Sequence, residues 1–376
     1  MKLALVTETF PPEVNGLAMT FGVIARQLAR RGYVVTVYRP RRDDLPAGEA
    51  SGGFAEVTLP GVPIPRYPQL RLGLPAWRKL ERRWSEDRPD LVHVATEGPL
   101  GASAVTVARA LGIPVTSSFH TNFHAYTQHY GFGLLERAVL GWLRHVHNRT
   151  QRTFAPTLEL CAELAALGFR NLAVLSRGVD TWLFHPARRS DGLRLKWGAG
   201  VDDPVVVHAS RMASEKNYEL LFQAFAAMRV ANPRCRFVVV GDGPLRTGLQ
   251  RAHPNVVFTG FVARAELARH YASADIYIHA SRTETFGNVL TEAMASGLAV
   301  AGFDYAAARQ FVRHGQNGLV VPFDQPEALI NAAVLLATDE LLRMQLRSAA
   351  RAADRSCIRN NSSVASRTAA LISASG

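Results

Sequence analysis

The chain has 376 residues, which is enough for two domains of ordinary size. Hydrophobic residues make up 48% of it and charged residues 20%, an ordinary composition for a folded globular protein. The formal charge of +12 favours an anionic partner, such as a phosphorylated ligand, a membrane surface or nucleic acid, although a generally basic surface would give the same sum.

No targeting segment is predicted from the sequence. The apolar run at the start is too short for a signal peptide, and no apolar stretch reaches the roughly 20 residues that span a bilayer. Three widely separated cysteines without a Cys-x-x-Cys motif predict neither a disulfide framework nor a zinc site. We therefore expect a cytoplasmic protein.

In the first half of the chain, short apolar runs alternate with stretches of helical periodicity. The predicted elements are strands 3–6, 34–38, 91–95 and 115–118 and helices 18–31, 101–111 and 134–150. This alternation is typical of a mostly parallel sheet that helices cover on both faces.

The same alternation restarts in the second half of the chain. The predicted elements are strands 205–209, 237–240, 256–259, 276–279 and 298–301 and helices 218–229, 245–252, 265–273, 288–296 and 326–337. We therefore predict an α/β protein with two Rossmann-like, doubly wound parallel-sheet domains that face each other across a cleft. The domains are predicted at 1–183 and 184–354, with a hinge within 181–203 and a tail at 355–376 that contains a final helix.

Ligands of open α/β sheets bind beyond the carboxyl ends of the strands, so the loops that follow strands hold the candidate residues. After the first strand, Gly16 would let a phosphate or sugar approach the backbone, although a helix-capping glycine is equally consistent. After strand 115–118, His120 and His124 could donate to a sugar hydroxyl or act as an acid or base, and His120 is the stronger candidate.

The loop after strand 205–209 carries two cations. Arg211 can contact two phosphate oxygens at once and Lys216 supplies a point charge, so together they could neutralise a leaving nucleoside diphosphate. An exposed charged loop is the alternative. Gly241, in Gly241-Asp242-Gly243-Pro244, could line the nucleotide pocket, although that tetrapeptide alone indicates only a turn.

The loop after strand 276–279 leads into a helix and carries Glu284, with Glu292 about one turn inside the helix. Carboxylates bind sugar hydroxyls well, so we expect Glu284 to hold a hexose and Glu292 a ribose diol. Between them lies a helix N-terminus, whose dipole favours an anion. Its residues are Phe286, Gly287, Asn288 and Val289.

Several absences exclude other enzyme classes. No Gly-x-Gly-x-x-Gly follows either first strand, and Arg39 stands where a dinucleotide fold usually has a ribose-binding acid, which argues against a dehydrogenase. The sequence also lacks a phosphate-binding P-loop and any Asp-x-Asp motif. We therefore expect neither a catalytic metal nor a cofactor.

The assembled motifs resemble glycosyltransferase family 4 of the GT-B fold, from Leu3 to about Ala337. The segment from Glu284 to Glu292 is similar to that family's signature of two glutamates separated by seven residues. The resemblance implies retaining, metal-independent transfer of a hexose from a UDP- or GDP-sugar, in which the leaving phosphate helps to deprotonate the acceptor. It also implies that His120 holds the donor hexose and that Gly16 lies near the phosphates or the acceptor.

The pattern from Glu8 to Gly16 looks closest to bacterial family members that glycosylate lipids, including mannosyl-, glucosyl- and sulfoquinovosyl-transferases that act on diacylglycerol or phosphoinositide-type acceptors. On a helix, Trp77, Leu80 and Trp84 would share one face among basic residues, as an interfacial helix requires, although core packing is equally consistent. The basic residues are Arg78, Lys79, Arg82 and Arg83. We therefore expect a lipid acceptor and peripheral binding to an anionic membrane surface.

Three alternatives remain open at this point. The acceptor could be soluble or a growing polysaccharide, and sugar-nucleotide epimerases share the expected architecture. A nucleic-acid binder would explain the charge, but the sequence contains no recognised module of that kind.

Overall fold

The computed structural model describes residues 1–13, 15–42, 53–64, 67–120, 133–323 and 325–351. His124 and the predicted tail lie outside the described residues. The chain divides into two compact units between Arg177 and Gly178. Each unit has its own parallel sheet, which confirms the predicted Rossmann-like architecture.

The first unit begins with a strand and alternates strands and helices thereafter. Its strands are β1 (Lys2–Val6), β2 (Val34–Pro40), β3 (Ala55–Leu59), β4 (Gly61–Ile64), β5 (Tyr67–Gly73), β6 (Leu91–Val94), β7 (Val115–Ser118), β8 (Arg152–Ala155) and β9 (Leu172–Val174). Its helices are α1 (Gly16–Arg30), α2 (Trp77–Glu86), α3 (Pro99–Ala110), α4 (Gly133–His147) and α5 (Leu158–Ala166). The main sheet has the order β3-β2-β1-β6-β7-β8-β9 with all pairs parallel, and β4 and β5 form a separate antiparallel hairpin.

Successive residues of β1 face opposite sides of the sheet, so both faces need cover. Leu3 and Leu5 pack with α1, whereas Ala4 and Val6 pack with Leu80 and Trp84 of α2.

The two buried residues of α2 correct the prediction of an interfacial helix. Leu80 and Trp84 are fully buried, and Trp84 packs edge-on against Tyr38 with ring centroids 5.8 Å apart. The apolar stripe of α2 is therefore core packing, because this face of the sheet must be covered. Of the three residues in the predicted stripe, only Trp77 lies on the surface, where it is 51% exposed.

The second unit has the strand order β12-β11-β10-β13-β14-β15, again with all pairs parallel. These strands are β10 (Val205–Ala209), β11 (Arg236–Val240), β12 (Val257–Gly260), β13 (Ile276–His279), β14 (Ala299–Phe303) and β15 (Leu319–Val321). The helices are α6 (Asp191–Lys196), α7 (Tyr218–Ala231), α8 (Arg246–Ala252), α9 (Arg264–Ser273), α10 (Asn288–Ala295), α11 (Ala307–Phe311) and α12 (Pro326–Thr338), followed by a helix over 340–351. Apolar clusters cover both faces of the sheet.

The segment predicted as a hinge is packed into the second unit. Arg194 of α6 is 2% exposed, and its Nη1 donates to Asp275 Oδ2 at 2.9 Å. Trp197 is also buried in this core. A buried, hydrogen-bonded guanidinium fixes a segment strongly, so most of 181–203 is part of the domain and not a linker.

Within the described ranges, no helix combines the length and the apolar character needed to cross a bilayer.

Candidate active site

The winding of the second sheet changes direction between β10 and β13. At such a switch point the loops diverge and leave a crevice beyond the carboxyl ends of the strands, where ligands of doubly wound sheets bind. The loops after β10, β11 and β13 carry most of the predicted donor-binding residues. Because β11 and β13 both pair with β10, these loops lie along one edge of the sheet.

The loops after β10 and β11 are locked together by backbone contacts. The N–H of Met212 donates to the C=O of Asp242 at 2.9 Å. A Cβ at Gly241, whose φ is 131°, would lie 2.1 Å from the C=O oxygen of Ser210. Gly241 therefore permits the close approach of the two loops, and its contact with a nucleotide stays a prediction.

Lys216 and Glu284 form an ion pair at the centre of this edge, with Nζ and Oε1 2.5 Å apart. Their side chains are only 16% and 12% exposed. Burial raises the pKa of Glu284, but the Lys216 ammonium, with help from His279 and Ser281, outweighs burial and holds the pKa below its ordinary value. Glu284 is therefore ionised at neutral pH and can accept hydrogen bonds from hydroxyl groups.

Arg211 is in a more open position than Lys216. Its side chain is 60% exposed, and Nη2 donates to Glu215 Oε1 at 2.7 Å. The Glu215 C=O accepts from the N–H of Arg282 at 3.0 Å, which ties the β10 and β13 loops together. Exposed ion pairs of this kind add little stability, so Arg211 can exchange Glu215 for another anion.

Helix α10 begins at Asn288 and follows Gly287, whose φ of 93° favours glycine. Phe286 is 1% exposed and packs edge-on against Phe311, which fixes the loop, and Val289 packs against the same core. The N–H groups of Asn288 and Val289 have no acceptor inside the helix, whereas that of Leu290 donates to the Gly287 C=O at 3.0 Å. The Asn288 Oδ1 atom is buried and accepts no hydrogen bond from the described part of the chain.

Glu292 lies inside α10 and is 7% exposed. The nearest cation recorded for it is Arg264, with Nη2 3.6 Å from Oε1. Burial raises the pKa of Glu292 to about 7, and Arg264 opposes that rise only in part. The carboxyl group therefore titrates near neutral pH, unlike that of Glu284.

In the first unit, His120 lies two residues after the end of β7. Its Nδ1 atom accepts a hydrogen bond from Arg177 Nη2 at 3.0 Å. A guanidinium can only donate, so the neutral ring carries its proton on Nε2. Burial, and then the charge of Arg177, holds the pKa of His120 well below 6.5. His120 is therefore a neutral hydrogen-bond donor and not a cation at neutral pH.

Gly16 is the first residue of α1 and is exposed. The helix cap is Asn15, whose Oδ1 accepts from the N–H groups of Leu17 and Ala18 at 3.1 and 2.8 Å. This excludes the capping alternative for Gly16, and its contact with a ligand stays a prediction.

Two residues that contact the site were missed by sequence reasoning. The Tyr305 hydroxyl contacts the backbone of Glu284, and Arg177 contacts His120. Both lie within three residues of a strand's carboxyl end, in the loops after β14 and β9. Candidate residues were sought in the loops that follow predicted strands, so Arg177 would have been found if β9 had been predicted.

Within the described ranges, no group of three His, Cys, Asp or Glu side chains is placed to hold a metal ion.

Two family models match the chain: "Glycosyltransferase Family 4" over residues 14–183 and "Glycosyl transferases group 1" over residues 203–339. The chain is 34% identical over 351 residues to a GDP-mannose-dependent alpha-mannosyltransferase of Mycobacterium tuberculosis, covering 92% of this chain and 90% of that protein. It is 28% identical to an alpha-monoglucosyldiacylglycerol synthase of Streptococcus pneumoniae, covering 80% of this chain and 70% of that protein. Sucrose-phosphate synthase from Thermosynechococcus elongatus has a similar fold, with a TM-score of 0.82 at 19% identity and 98% coverage of both chains. The chain therefore belongs to glycosyltransferase family 4 and is a glycosyltransferase of the GT-B fold.

Proposed function

We propose that the chain transfers mannose from GDP-mannose to a membrane lipid, with retention of configuration and without a metal ion. The donor is chosen because the relative named for GDP-mannose is 34% identical, against 28% for the relative named for glucosyl transfer. The lipid acceptor, of the diacylglycerol or phosphoinositide type, is supported by the name of the second relative and by the positive charge of the chain.

Retention is supported by the name of the first relative, an alpha-mannosyltransferase, together with the stereochemistry of the proposed donor. Mannose is α-linked to phosphate in GDP-mannose, so an α-mannoside product keeps the configuration at C1. In the reaction, the bond from C1 to the diphosphate oxygen breaks, and the acceptor oxygen bonds to C1 on the same face. The acceptor's proton passes to the leaving phosphate, so no side-chain base is required.

The observation that carries the proposal is the shielded Lys216–Glu284 pair beside the N-terminus of α10. We assign the diphosphate to Lys216, Arg211 and the first N–H groups of α10, since cations and a helix N-terminus both favour an anion. Fixed charges of this kind stabilise the negative charge that develops on the leaving group. They would also take the place of a metal ion bound by an Asp-x-Asp motif, which the sequence lacks.

We assign the two carboxylates to the uncharged hydroxyl groups of the donor, those of the mannose and of the ribose. Glu284 is ionised and adjoins the proposed phosphate site, so it is suited to accept from mannose hydroxyls. Glu292 is assigned the ribose diol. Asn288 Oδ1, buried without a partner among the described residues, would accept from a donor group of the ligand.

The first unit is assigned the acceptor and one contact to the sugar. His120, with its proton on Nε2, is suited to donate to a mannose hydroxyl. Exposed Gly16 would let the acceptor or a phosphate approach the backbone. We place the reaction at the cytoplasmic face of the membrane, where nucleotide sugars and anionic lipid surfaces meet.

The test is nucleoside diphosphate release from a panel of UDP- and GDP-sugars, with and without membrane lipid extract and in the presence of a chelator. We expect lipid-dependent GDP release from GDP-mannose alone. Release only with soluble acceptors would contradict the lipid assignment. A changed sugar nucleotide without any acceptor would identify an epimerase, and chelator-sensitive release would contradict metal independence.

A further inference from the structure

The first unit exposes several large apolar side chains around one place. Val62 and Leu72 face each other across the β4–β5 hairpin, and both are exposed, as are Leu74, Trp77 and Trp142. The hairpin ends against α3, where a Cβ at Gly73 would meet the side chain of Leu100. The start of α2 joins the same place, because the N–H of Ala76 donates to Ser103 Oγ at 3.2 Å.

An apolar groove opens between α2, α3 and α4 at this surface. It has a volume of about 250 Å³ and is lined by Pro75, Trp77, Ala102, Trp142, Val146 and Arg149, among others. The volume is below the roughly 300–1,000 Å³ of pockets for drug-sized ligands, so the groove suits one narrow apolar chain.

The tryptophan on α4 is held in place at the groove. The Trp142 Nε1 donates to the C=O of Glu97 at 3.0 Å, while its ring stays 45% exposed. Glu97 lies just beyond the carboxyl end of β6, the edge of the sheet at which ligands bind in this fold class. The groove therefore begins at the edge where the proposed acceptor would react.

One cation lies at the apolar surface itself. Arg149 lines the groove, with its Nη1 3.3 Å from Thr106 Oγ1. The exposed cations of α2 are Arg78, Lys79, Arg82 and Arg83. An apolar groove with tryptophan at its rim and an arginine in its lining can hold an acyl chain beside an anionic headgroup.

We propose that this groove holds one acyl chain of an anionic phospholipid, with the headgroup phosphate against Arg149. The inference gives the lipid acceptor of the proposed function a place to dock, and lipid binding can be measured without turnover. The membrane-facing surface is then this groove between α2, α3 and α4, and not the stripe of Leu80 and Trp84, which is buried.

The experiment uses the full chain with Trp182→Phe, which removes an indole that is 92% exposed in the second unit. The protein is mixed with vesicles of phosphatidylcholine and phosphatidylglycerol whose acyl chains carry bromine, which quenches tryptophan fluorescence on contact. We expect strong quenching, and a severalfold weaker effect in Trp142→Phe and in Ala102→Phe, which fills the groove. The matched control is Ala110→Phe, an exposed site at the end of α3, which should quench like the parent.

Equal quenching in Ala102→Phe and Ala110→Phe would overturn the proposal, as would quenching that survives intact in Trp142→Phe. Protection of both indoles in a dimer, without quenching by lipid, would assign the groove to a second copy of the chain and would also overturn it. If Ala102→Phe does not fold, Trp142→Phe decides, since it keeps an aromatic ring at a half-exposed position and removes one hydrogen bond, to the Glu97 C=O. Quenching without lipid-dependent GDP release would contradict the proposed function and leave the groove assignment intact. Lipid-dependent GDP release without quenching would contradict the groove assignment and leave the proposed function intact.

Discussion

The hydroxyl of Tyr305 holds both backbone polar groups of Glu284. It accepts from the Glu284 N–H at 2.9 Å and donates to the Glu284 C=O at 2.6 Å. Tyr305 comes from the loop after β14, the neighbour of β13, so the contact joins two adjacent strand ends. Because the backbone is fixed, the Glu284 carboxylate is directed towards Lys216.

Tyr305→Phe removes this hydroxyl and keeps the ring. We expect kcat for sugar transfer to fall by about 10- to 100-fold, because small misplacements of a positioning group are costly in the transition state. The Kd for GDP, measured by calorimetry, should stay nearly unchanged. The control is Phe323→Leu, since Phe323 packs 5.3 Å from the Tyr305 ring and leaves the hydroxyl in place. Wild-type kcat in Tyr305→Phe would contradict a positioning role.

Glu284→Gln keeps the shape of the side chain and removes its charge. We expect kcat to fall by roughly 100-fold with little change in GDP affinity, because the lost interaction is with the sugar and with developing charge. Lys216→Met should behave differently and weaken GDP binding, since it removes a proposed phosphate contact. Turnover assays and GDP titrations separate the two effects. Loss of GDP affinity with preserved turnover in Glu284→Gln would refute the assignment.

Strands β7, β10 and β13 could be predicted from the sequence to the residue, whereas the predicted bounds of β11 and β14 differ from the observed ones by one or two residues. Buried parallel strands such as β10 and β13 read as continuous apolar runs between turn signals, and their site loops are contiguous segments. Strands β8 and β9 were missed, because Arg152-Thr-Phe-Ala155 contains no apolar run and Leu172–Val174 is only three residues long.

Contacts between distant segments could not be predicted in this way. Tyr305 and Glu284 are 21 residues apart, and Arg177 and His120 are 57 apart, so each contact depends on how the strands pack. The apolar stripe of α2 was ambiguous for another reason: a helix that covers a sheet and a helix that lies on a membrane have the same periodicity. Only the burial of Leu80 and Trp84 decides between them.

Arg177→Met tests the hydrogen bond to His120. Burial is the main reason for the low pKa of His120 and the charge of Arg177 adds to it, so the pKa should rise in the variant but stay below 6.5. The acid limb of the kcat profile should therefore move to higher pH, and kcat at neutral pH should fall about tenfold as the ring loses its fixed tautomer. Arg177→Lys, which keeps the charge, should restore much of the profile. An unmoved acid limb would mean that Arg177 has only a structural role.

Four buried histidines and the partly buried His120 predict a loss of stability in mild acid. Burial lowers the pKa of His93, His147 and His279 to about 4 and that of His208 to about 3, and His120 is also lowered. The unfolded chain binds these protons at about pH 6.5, so the stability that these histidines contribute is full above that pH and is lost as pH falls towards the folded values. Urea titrations should show the unfolding midpoint falling steeply between about pH 6.5 and 4. A midpoint independent of pH in that window would contradict the burial of these rings in the folded state.

Glu292→Gln should separate stability from binding at one residue. The folded pKa of Glu292 is about 7 against an ordinary 4.5, so the folded state holds the proton more tightly than the unfolded chain. Stability therefore falls as pH rises from 4.5 through 7, and above 7 the ionised carboxylate lowers the free energy of unfolding by an amount on the order of 3 kcal/mol. Since glutamine carries no charge, the variant should be more stable than the wild type at pH 8 and similar to it at pH 5.

The same substitution should weaken nucleotide binding, because a carboxylate that accepts from a ribose diol contributes roughly 1.5–3 kcal/mol per charged hydrogen bond, or about 10- to 100-fold in Kd. Thermal unfolding at the two pH values and GDP titration at pH 8 measure both effects. Glu266→Gln, a partly exposed glutamate on α9 that pairs with Arg269, is the control and should change neither. Higher stability with unchanged GDP affinity would remove Glu292 from the ribose site, whereas equal destabilisation at both pH values would mean that the carboxyl group stabilises the core. A ligand that uses the charge of this carboxylate would offset its cost to stability.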